Sequence, residues 1–218
     1  MSYNPSEYWS ERGKTYQKKF KYDKNKVLQE EFLLDYLYSI SEPFSSVLEL
    51  GCGFGRVTKI LLNKFDNIKN YLAVDMSKHQ IENARNYVGS LKMKEVRLDF
   101  LVSDILSLEQ SKKYDLVILS EVLMHILPSE IDSVIKKLIS LTNKHIINID
   151  WYEDRPPNRI APHNFIHEYK LLYTKNPEIS EVQRIPIKRK KLFHNIDTRQ
   201  SIFHATTLST FIDEQKTT

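Results

Sequence analysis

The sequence predicts an α/β protein: one doubly wound, mostly parallel sheet with helices on both faces and an antiparallel strand pair at its C-terminal end. Three observations carry this. Short apolar runs of strand length alternate with longer segments of helical period between Ser46 and Asp150. An acidic residue stands within or directly after each run: Glu49, Asp75, Asp104, Glu121 and Asp150. The chain also uses glycine only 5 times, and three of these, Gly51, Gly53 and Gly55, follow the first run. Glycine permits sharp turns and lets another molecule approach bare backbone, so chemistry is to be sought there.

The elements follow in order. Residues 1–25 are polar and aromatic, with Tyr3, Tyr8, Trp9, Tyr16, Phe20 and Tyr22 among lysines and glutamates. Leu33, Leu37 and Ile40 recur at helical spacing and predict an amphipathic helix from Val27 to Ile40, closed by Pro43. Ser46 to Leu50 reads as a short buried strand that ends at the glycine cluster, and Val57 to Phe65 returns to helical period. A second strand, Tyr71 to Val74, stops at Asp75, and Ser77 can cap a helix running to about Val88. A third strand covers Leu98 to Val102 and ends at Ser103-Asp104. Leu116 to Leu119 is the most strand-like run, followed by Ser120-Glu121. Pro128-Ser129-Glu130 opens a helix through Leu138 and Leu141, and His145 to Ile149 gives the fifth strand, ending at Asp150. In such sheets ligands bind beyond the carboxyl ends of the strands, the edge where the acidic residues gather.

After Asp150 the pattern changes. Pro156-Pro157 and Pro162 mark a loop, and Asn164 to Tyr173 reads as helical. Ile185 to Ile187 and Ser201 to Ala205 read as strands around a basic turn, Lys188 to Lys191.

Composition bounds the rest. In 218 residues, 41% hydrophobic and 28% charged are the proportions of a globular chain with a real core, not of a disordered one. Lys plus Arg number 32 against 28 Asp plus Glu, a net +4 that neither demands nor forbids nucleic acid. No apolar run approaches the roughly 20 residues of a membrane span. The N-terminus, Met1 to Glu7, lacks the basic and apolar segments of a secretory signal. The lone cysteine, Cys52, excludes an intrachain disulfide and a cysteine-cluster metal site. A cytoplasmic single-domain protein is expected.

The segment Glu49-Leu50-Gly51-Cys52-Gly53-Phe54-Gly55-Arg56 follows a strand and opens a helix. A nicotinamide-type fingerprint would carry a third glycine where this chain departs from the pattern, and there is no Walker lysine followed by Ser or Thr. Together with Ala73-Val74-Asp75-Met76-Ser77, Ser103-Asp104-Ile105 and Tyr114 through Ile126, in that order and at those spacings, it resembles the class I S-adenosylmethionine-dependent methyltransferases over about residues 46–150.

The resemblance implies a Rossmann-like fold, with residues 1–45 as a helical cap over the cofactor and residues 46–218 as the methyltransferase domain. Within that domain, 46–150 form the cofactor half, and 151–218 the acceptor-pocket insertion and last strands. It implies that Gly51 and Gly53 let the backbone approach the methionine moiety, and that Glu49 orients that loop or holds the amino group through water. Asp75 would take both ribose hydroxyls, a task suited to one ionised carboxylate. Met76 would pack on the adenine, Asp104 would accept from its exocyclic amine, and the Ile105 amide would face a ring nitrogen. Ser120 would lie along the cofactor, with Glu121 near the methyl donor. For the cofactor's carboxylate, Tyr16 is favoured and Arg12 is the rival.

Methyl transfer from a sulfonium is an in-line displacement, so the protein chiefly aligns the partners and excludes water. A hydroxyl acceptor also benefits from a base. Candidates are His125, His163, His167 and Asp150, with His167 leading. Asn164, His167 and Tyr169 belong to the segment where this family commonly builds its acceptor pocket. His163 and His167 stand at a spacing that can bind a metal, but no third ligand accompanies them and no metal is expected. The basic run reads as a solvated turn, since it lacks the interleaved aromatics of an RNA surface. The expected partner is therefore a small-molecule acceptor, a sugar or other metabolite methylated on O or N. An RNA or protein acceptor, or a non-catalytic cofactor-binding homologue, are the alternatives.

Overall fold

The computed structural model describes residues 3–15, 17, 24–89, 95–151, 160–190 and 195–208. The strands are β1 (Ser46–Leu50), β2 (Asn70–Asp75), β3 (Arg97–Val102), β4 (Tyr114–Ser120), β5 (Thr142–Trp151), β6 (Ile179–Lys190) and β7 (Asn195–Thr207). They form one sheet in the order β3-β2-β1-β4-β5-β7-β6. The first five pair in parallel with one another, while β7 runs antiparallel between β5 and β6. The order reverses at β1 and β4, and a crevice opens there beyond the strand ends.

The helices among the described residues are α1 (Pro5–Gly13), α2 (Lys24–Ser39), α3 (Arg56–Lys64), α4 (Lys78–Val88), α5 (Ile131–Ser140) and α6 (Tyr169–Thr174). Both faces of the sheet are covered, so the central strands are buried on both sides and read as continuous apolar runs. One core packs Leu48, Leu50, Val117, Leu119 and Leu138; the other packs Val47, Leu61, Tyr71, Leu116 and Ile118. Truncating any of these aliphatic residues to Ala would cost about 2–5 kcal/mol.

Local chemistry explains the element ends near the crevice. Helix α1 starts at Asn4, whose side chain accepts the Glu7 N–H, with Pro5 in the first turn. Helix α4 starts at Ser77, whose hydroxyl accepts the Gln80 N–H. The end of α1 meets the start of α4, because a β-carbon at Gly13 would lie 2.3 Å from Ser77 Oγ. Only glycine lets α1 end against the first turn of α4.

Two expectations change. The helix expected over Asn164 to Tyr173 is confined to Tyr169–Thr174. Upstream, the Asn164 N–H donates to the Ala161 carbonyl and the Phe165 N–H to the Met124 carbonyl. Those amides are committed outside any helical ladder. The last two strands are also longer than expected, paired from Ile179 opposite Thr207 to Lys190 opposite Asn195. Lys188, Arg189 and Lys190 therefore belong to a strand rather than a turn, and Lys191 lies outside the described residues. Pro186 obscured this strand, and it is tolerated because β6 is outermost in the sheet.

Candidate active site

The loop between β1 and α3 is tied to the end of β2 by backbone groups. The Cys52 N–H donates to the Val74 carbonyl at 2.9 Å, and the Gly53 N–H to Asp75 Oδ2 at 2.8 Å. Asp75 Oδ1 accepts the Ser77 N–H, also at 2.8 Å. Each carboxylate oxygen keeps one lone pair beyond these bonds. Burial raises the Asp75 pKa, and the two amides work against that rise.

Gly51 and Gly53 have φ of 69° and 55°. A β-carbon at Gly51 would stand 2.4 Å from a Val122 methyl, so this position is reserved by packing. At Gly53 the nearest atom would be Gln80 Nε2 at 3.8 Å, so its missing side chain leaves the crevice side of the loop clear.

Glu49 is 3% exposed beneath that loop and accepts from Thr58 Oγ1 at 2.5 Å and Tyr71 Oη at 2.6 Å. Burial pushes its pKa up to about 7, opposed by these two donors and by Arg56.

One cleft gathers most of the residues singled out from sequence. Glu49, Gly51, Gly53, Asp75, Met76, Asp104, Ile105, Ser120 and His125 all line it. Asp104 is exposed, and its Oδ1 accepts the Leu106 N–H at 2.8 Å. Tyr16 lies outside the described residues. Its rival Arg12 does not line the cleft; its guanidinium sits 5.6 Å from the centre of the Tyr8 ring.

His167 stands apart from this cleft. It is 6% exposed, and its Nε2 donates to the Ile126 carbonyl at 3.1 Å. It braces the chain just after the 3-10 turn Leu123–His125 rather than facing a ligand. Asp150 is likewise buried, accepting the Met124 N–H at 3.2 Å and Asn148 Nδ2 at 3.1 Å. Tyr169 is packed in the core against Phe203. The sequence placed these groups near the acceptor because they follow strand ends, but tertiary packing turned them inward.

His125 is held from several directions. Its Nδ1 lies 3.0 Å from the His163 carbonyl. A carbonyl only accepts, so Nδ1 carries the hydrogen and neutral His125 presents Nε2 as an acceptor. The Trp9 ring packs 4.5 Å from the imidazole, and the Tyr3 hydroxyl donates to the His125 carbonyl at 3.3 Å. His163 itself stacks on Tyr8 at 4.5 Å, and burial followed by the Arg12 charge lowers its pKa.

Sequence reading missed a polar chain behind the cleft. Gln200 Nε2 donates to Glu121 Oε1 at 2.6 Å, and Gln29 Nε2 donates to Gln200 Oε1 at 3.0 Å. Arg56 then donates to Gln29 Oε1 at 2.9 Å, to Ser120 Oγ at 3.0 Å and to Glu30 at 3.1 Å. Gln29 and Gln200 are separated by 171 residues, so no local signal could have joined them. Also missed were Trp9 and Gln80, which line the cleft; Gln80 Oε1 is buried without a protein partner among the described residues.

An open parallel sheet, a glycine loop at its switch point and acids at the neighbouring strand ends define a nucleoside-binding α/β class. The chain matches the family model described as a methyltransferase domain over residues 48–144, a little under half of its length. It is similar to the malonyl-[acyl-carrier protein] O-methyltransferase 2 of Ilyobacter polytropus, at 39% identity over 77 residues, 35% of this chain and 28% of that protein. A malonyl-[acyl-carrier protein] O-methyltransferase of Anoxybacillus flavithermus is 30% identical over 110 residues, 50% of this chain and 38% of that protein. The alignments thus span well under half the length of these curated relatives. Among solved structures, the magnesium protoporphyrin IX methyltransferase of Synechocystis with bound SAM aligns with a TM-score of 0.70 at 16% identity, over 95% of this chain and 99% of that one. The N-methyltransferase NodS of Bradyrhizobium japonicum aligns with a TM-score of 0.65 at 16% identity, over 85% and 98%. At such identities the likeness is one of fold.

Proposed function

We propose that the chain transfers a methyl group from S-adenosylmethionine to an oxygen or nitrogen atom of a small molecule. The observation that carries this reading is the bare Gly53 backbone tied to Asp75 in one cleft with Asp104. A nucleoside suits those groups: Asp75 has a lone pair on each oxygen for two ribose hydroxyls, and Asp104 an acceptor for an adenine amine. Gly51 and Gly53 would admit the methionine moiety, with Glu49 beneath them facing its ammonium. Met76 and the Ile105 amide would flank the base, and Ser120 would lie alongside. The cofactor supplies an electrophilic methyl carbon, and the chain's task is to align an acceptor with it and exclude water.

For the acceptor's proton we propose His125, whose Nε2 is the acceptor nitrogen when the ring is neutral. His167 would then serve by bracing the turn that carries His125. Residues 46–150 would form the cofactor half, residues 1–45 a cap and residues 151–218 the acceptor side. A small molecule is favoured over RNA or protein because the cleft is walled by Trp9 and Pro5 of α1. Calorimetric titration with S-adenosylhomocysteine tests the reading. Saturable uptake at one site is expected, and absence of uptake would overturn it.

A further inference from the structure

We propose that Gln80 couples the docking of α1 to uptake of the nucleoside, so that each favours the other; this rests on the methyltransferase reading above. Gln80 is 5% exposed and lines the cleft, and its Oε1 is buried without a partner among the described residues. A buried amide oxygen left unpaired is costly, and a hydrogen bond from a ligand would remove that cost.

The sequence around Gln80 explains why this oxygen is spare. Ser77-Lys78-His79-Gln80 has the spacing of a capping box, in which the fourth side chain turns back to the N–H of the first residue. Only half of the box forms. Ser77 Oγ accepts the Gln80 N–H at 3.4 Å, but the Ser77 N–H is already given to Asp75 Oδ1 at 2.8 Å. Asp75 thus displaces the Gln80 carboxamide from its ordinary partner. Side chains of a helix lean toward its N-terminus, so the released carboxamide lies over the first turn of α4, beside the glycine loop. A β-carbon at Gly53 would stand 3.8 Å from Gln80 Nε2, and the Gly53 N–H is itself held by Asp75 Oδ2. Asp75 and Gln80 therefore flank the same bare backbone.

Their chemistry is complementary. An ionised carboxylate only accepts hydrogen bonds, whereas a carboxamide both accepts and donates. A ribose diol uses acceptors for its two hydroxyl hydrogens and a donor for a hydroxyl oxygen, and Gln80 supplies the donor that Asp75 lacks. The other side of Gln80 belongs to α1. Gly13, the buried last residue of that helix, packs so closely that a β-carbon there would lie 3.1 Å from Gln80 Cγ. Docking α1 therefore withdraws Gln80 from bulk water, and its Oε1 must find a partner within the cleft. A ribose hydroxyl placed by Asp75 offers that partner and offsets the cost of docking. By linkage, the docked helix raises nucleoside affinity by the factor with which the nucleoside favours docking.

The test follows amide hydrogen exchange of α1 by mass spectrometry on the full chain, with and without saturating S-adenosylhomocysteine, beside calorimetric titration of the same ligand. In the parent, the nucleoside is expected to slow exchange across α1 about tenfold. Gln80→Met keeps the length of the side chain and removes the carboxamide. Without the nucleoside its α1 should exchange no faster than the parent's. With it, exchange should slow by about threefold or less, and affinity should be about tenfold lower. Faster exchange in unliganded Gln80→Met would mark a merely structural side chain and overturn the proposal, as would a response or an affinity equal to the parent's. Analogues of the ligand lacking the 2′- or the 3′-hydroxyl, bound to the parent, give an answer without a variant. At least one is expected to lose most of the slowing, and full slowing with both would overturn the proposal. A parent that binds S-adenosylhomocysteine with unchanged α1 exchange refutes the coupling alone. Absence of uptake instead refutes the methyltransferase reading and this proposal with it.

Discussion

Asp75 Oδ2 accepts the Gly53 N–H at 2.8 Å while Oδ1 accepts the Ser77 N–H at the same distance. One carboxylate therefore joins the loop after β1 to the start of α4. Asp75→Ala is expected to lower S-adenosylhomocysteine affinity about 100-fold, or about 2–3 kcal/mol, with some loss of stability from the two orphaned amides. Ser77→Ala removes only the helix cap and should cost about 1 kcal/mol of stability with affinity unchanged. Paired calorimetric titration and thermal denaturation check both.

The two loop glycines should respond differently. Gly51→Ala meets both its positive φ and the Val122 methyl, so a stability loss above about 2 kcal/mol is expected. Gly53→Ala meets only the backbone term, about 1–2 kcal/mol, yet should weaken nucleoside uptake more than it weakens the fold. Denaturant midpoints set against binding constants will separate them.

Glu49 sets a pH dependence. Its pKa in the folded protein is raised from the ordinary 4.5 to about 7 by burial. The unfolded chain therefore loses this proton first. The stability contribution of protonated Glu49 is complete below about pH 4.5 and is lost as pH rises through about 7. Glu49→Gln should be relatively more stable than the parent at pH 8 than at pH 4.5. Melting temperatures of the two proteins across that range give the answer, and parallel curves would contradict it.

His204 acts in the opposite direction. It is buried, with Nε2 3.0 Å from His145 Nδ1 and Nδ1 2.8 Å from the Tyr36 hydroxyl. Burial, then the neighbouring His145, lowers its pKa from 6.5 to about 4. Its stabilising contribution is present above about pH 6.5 and is lost as pH falls toward 4. His204→Gln should flatten the decline in stability between those values, read as melting temperature against pH.

The histidines near the cleft should separate kinetically. His125→Ala is expected to reduce turnover about 100-fold with nucleoside affinity retained. His167→Ala removes the bond to the Ile126 carbonyl and should lower stability by about 1–3 kcal/mol, with a smaller effect on turnover. Release of S-adenosylhomocysteine, measured beside thermal denaturation, distinguishes them.

The parallel half of the fold was legible because β1, β2, β4 and β5 are buried on both faces and read as unbroken apolar runs bounded by polar residues. The glycine loop was legible because scarce glycine stands where positive φ is required. The second half was read less well. Pro186 and the Lys188 to Lys190 run resemble a turn, and only the pairing with β7 makes a strand of them. The Gln29–Gln200–Glu121 chain was invisible, since glutamines carry no period and the three come from α2, β7 and the end of β4. His167 illustrates the same limit: its residue type suggested chemistry, but its burial against the Ile126 carbonyl is a tertiary fact.

β6, one of the two edge strands, has a consequence for how this molecule behaves in a crowd. A long free border normally offers its amides as a template on which further chains can stack. Here Pro186 supplies no amide hydrogen in the middle of that strand, and Arg184 and Lys188 place positive charge along it. This edge is thereby guarded against endless growth, and the length of the final hairpin does not become a liability toward fibres.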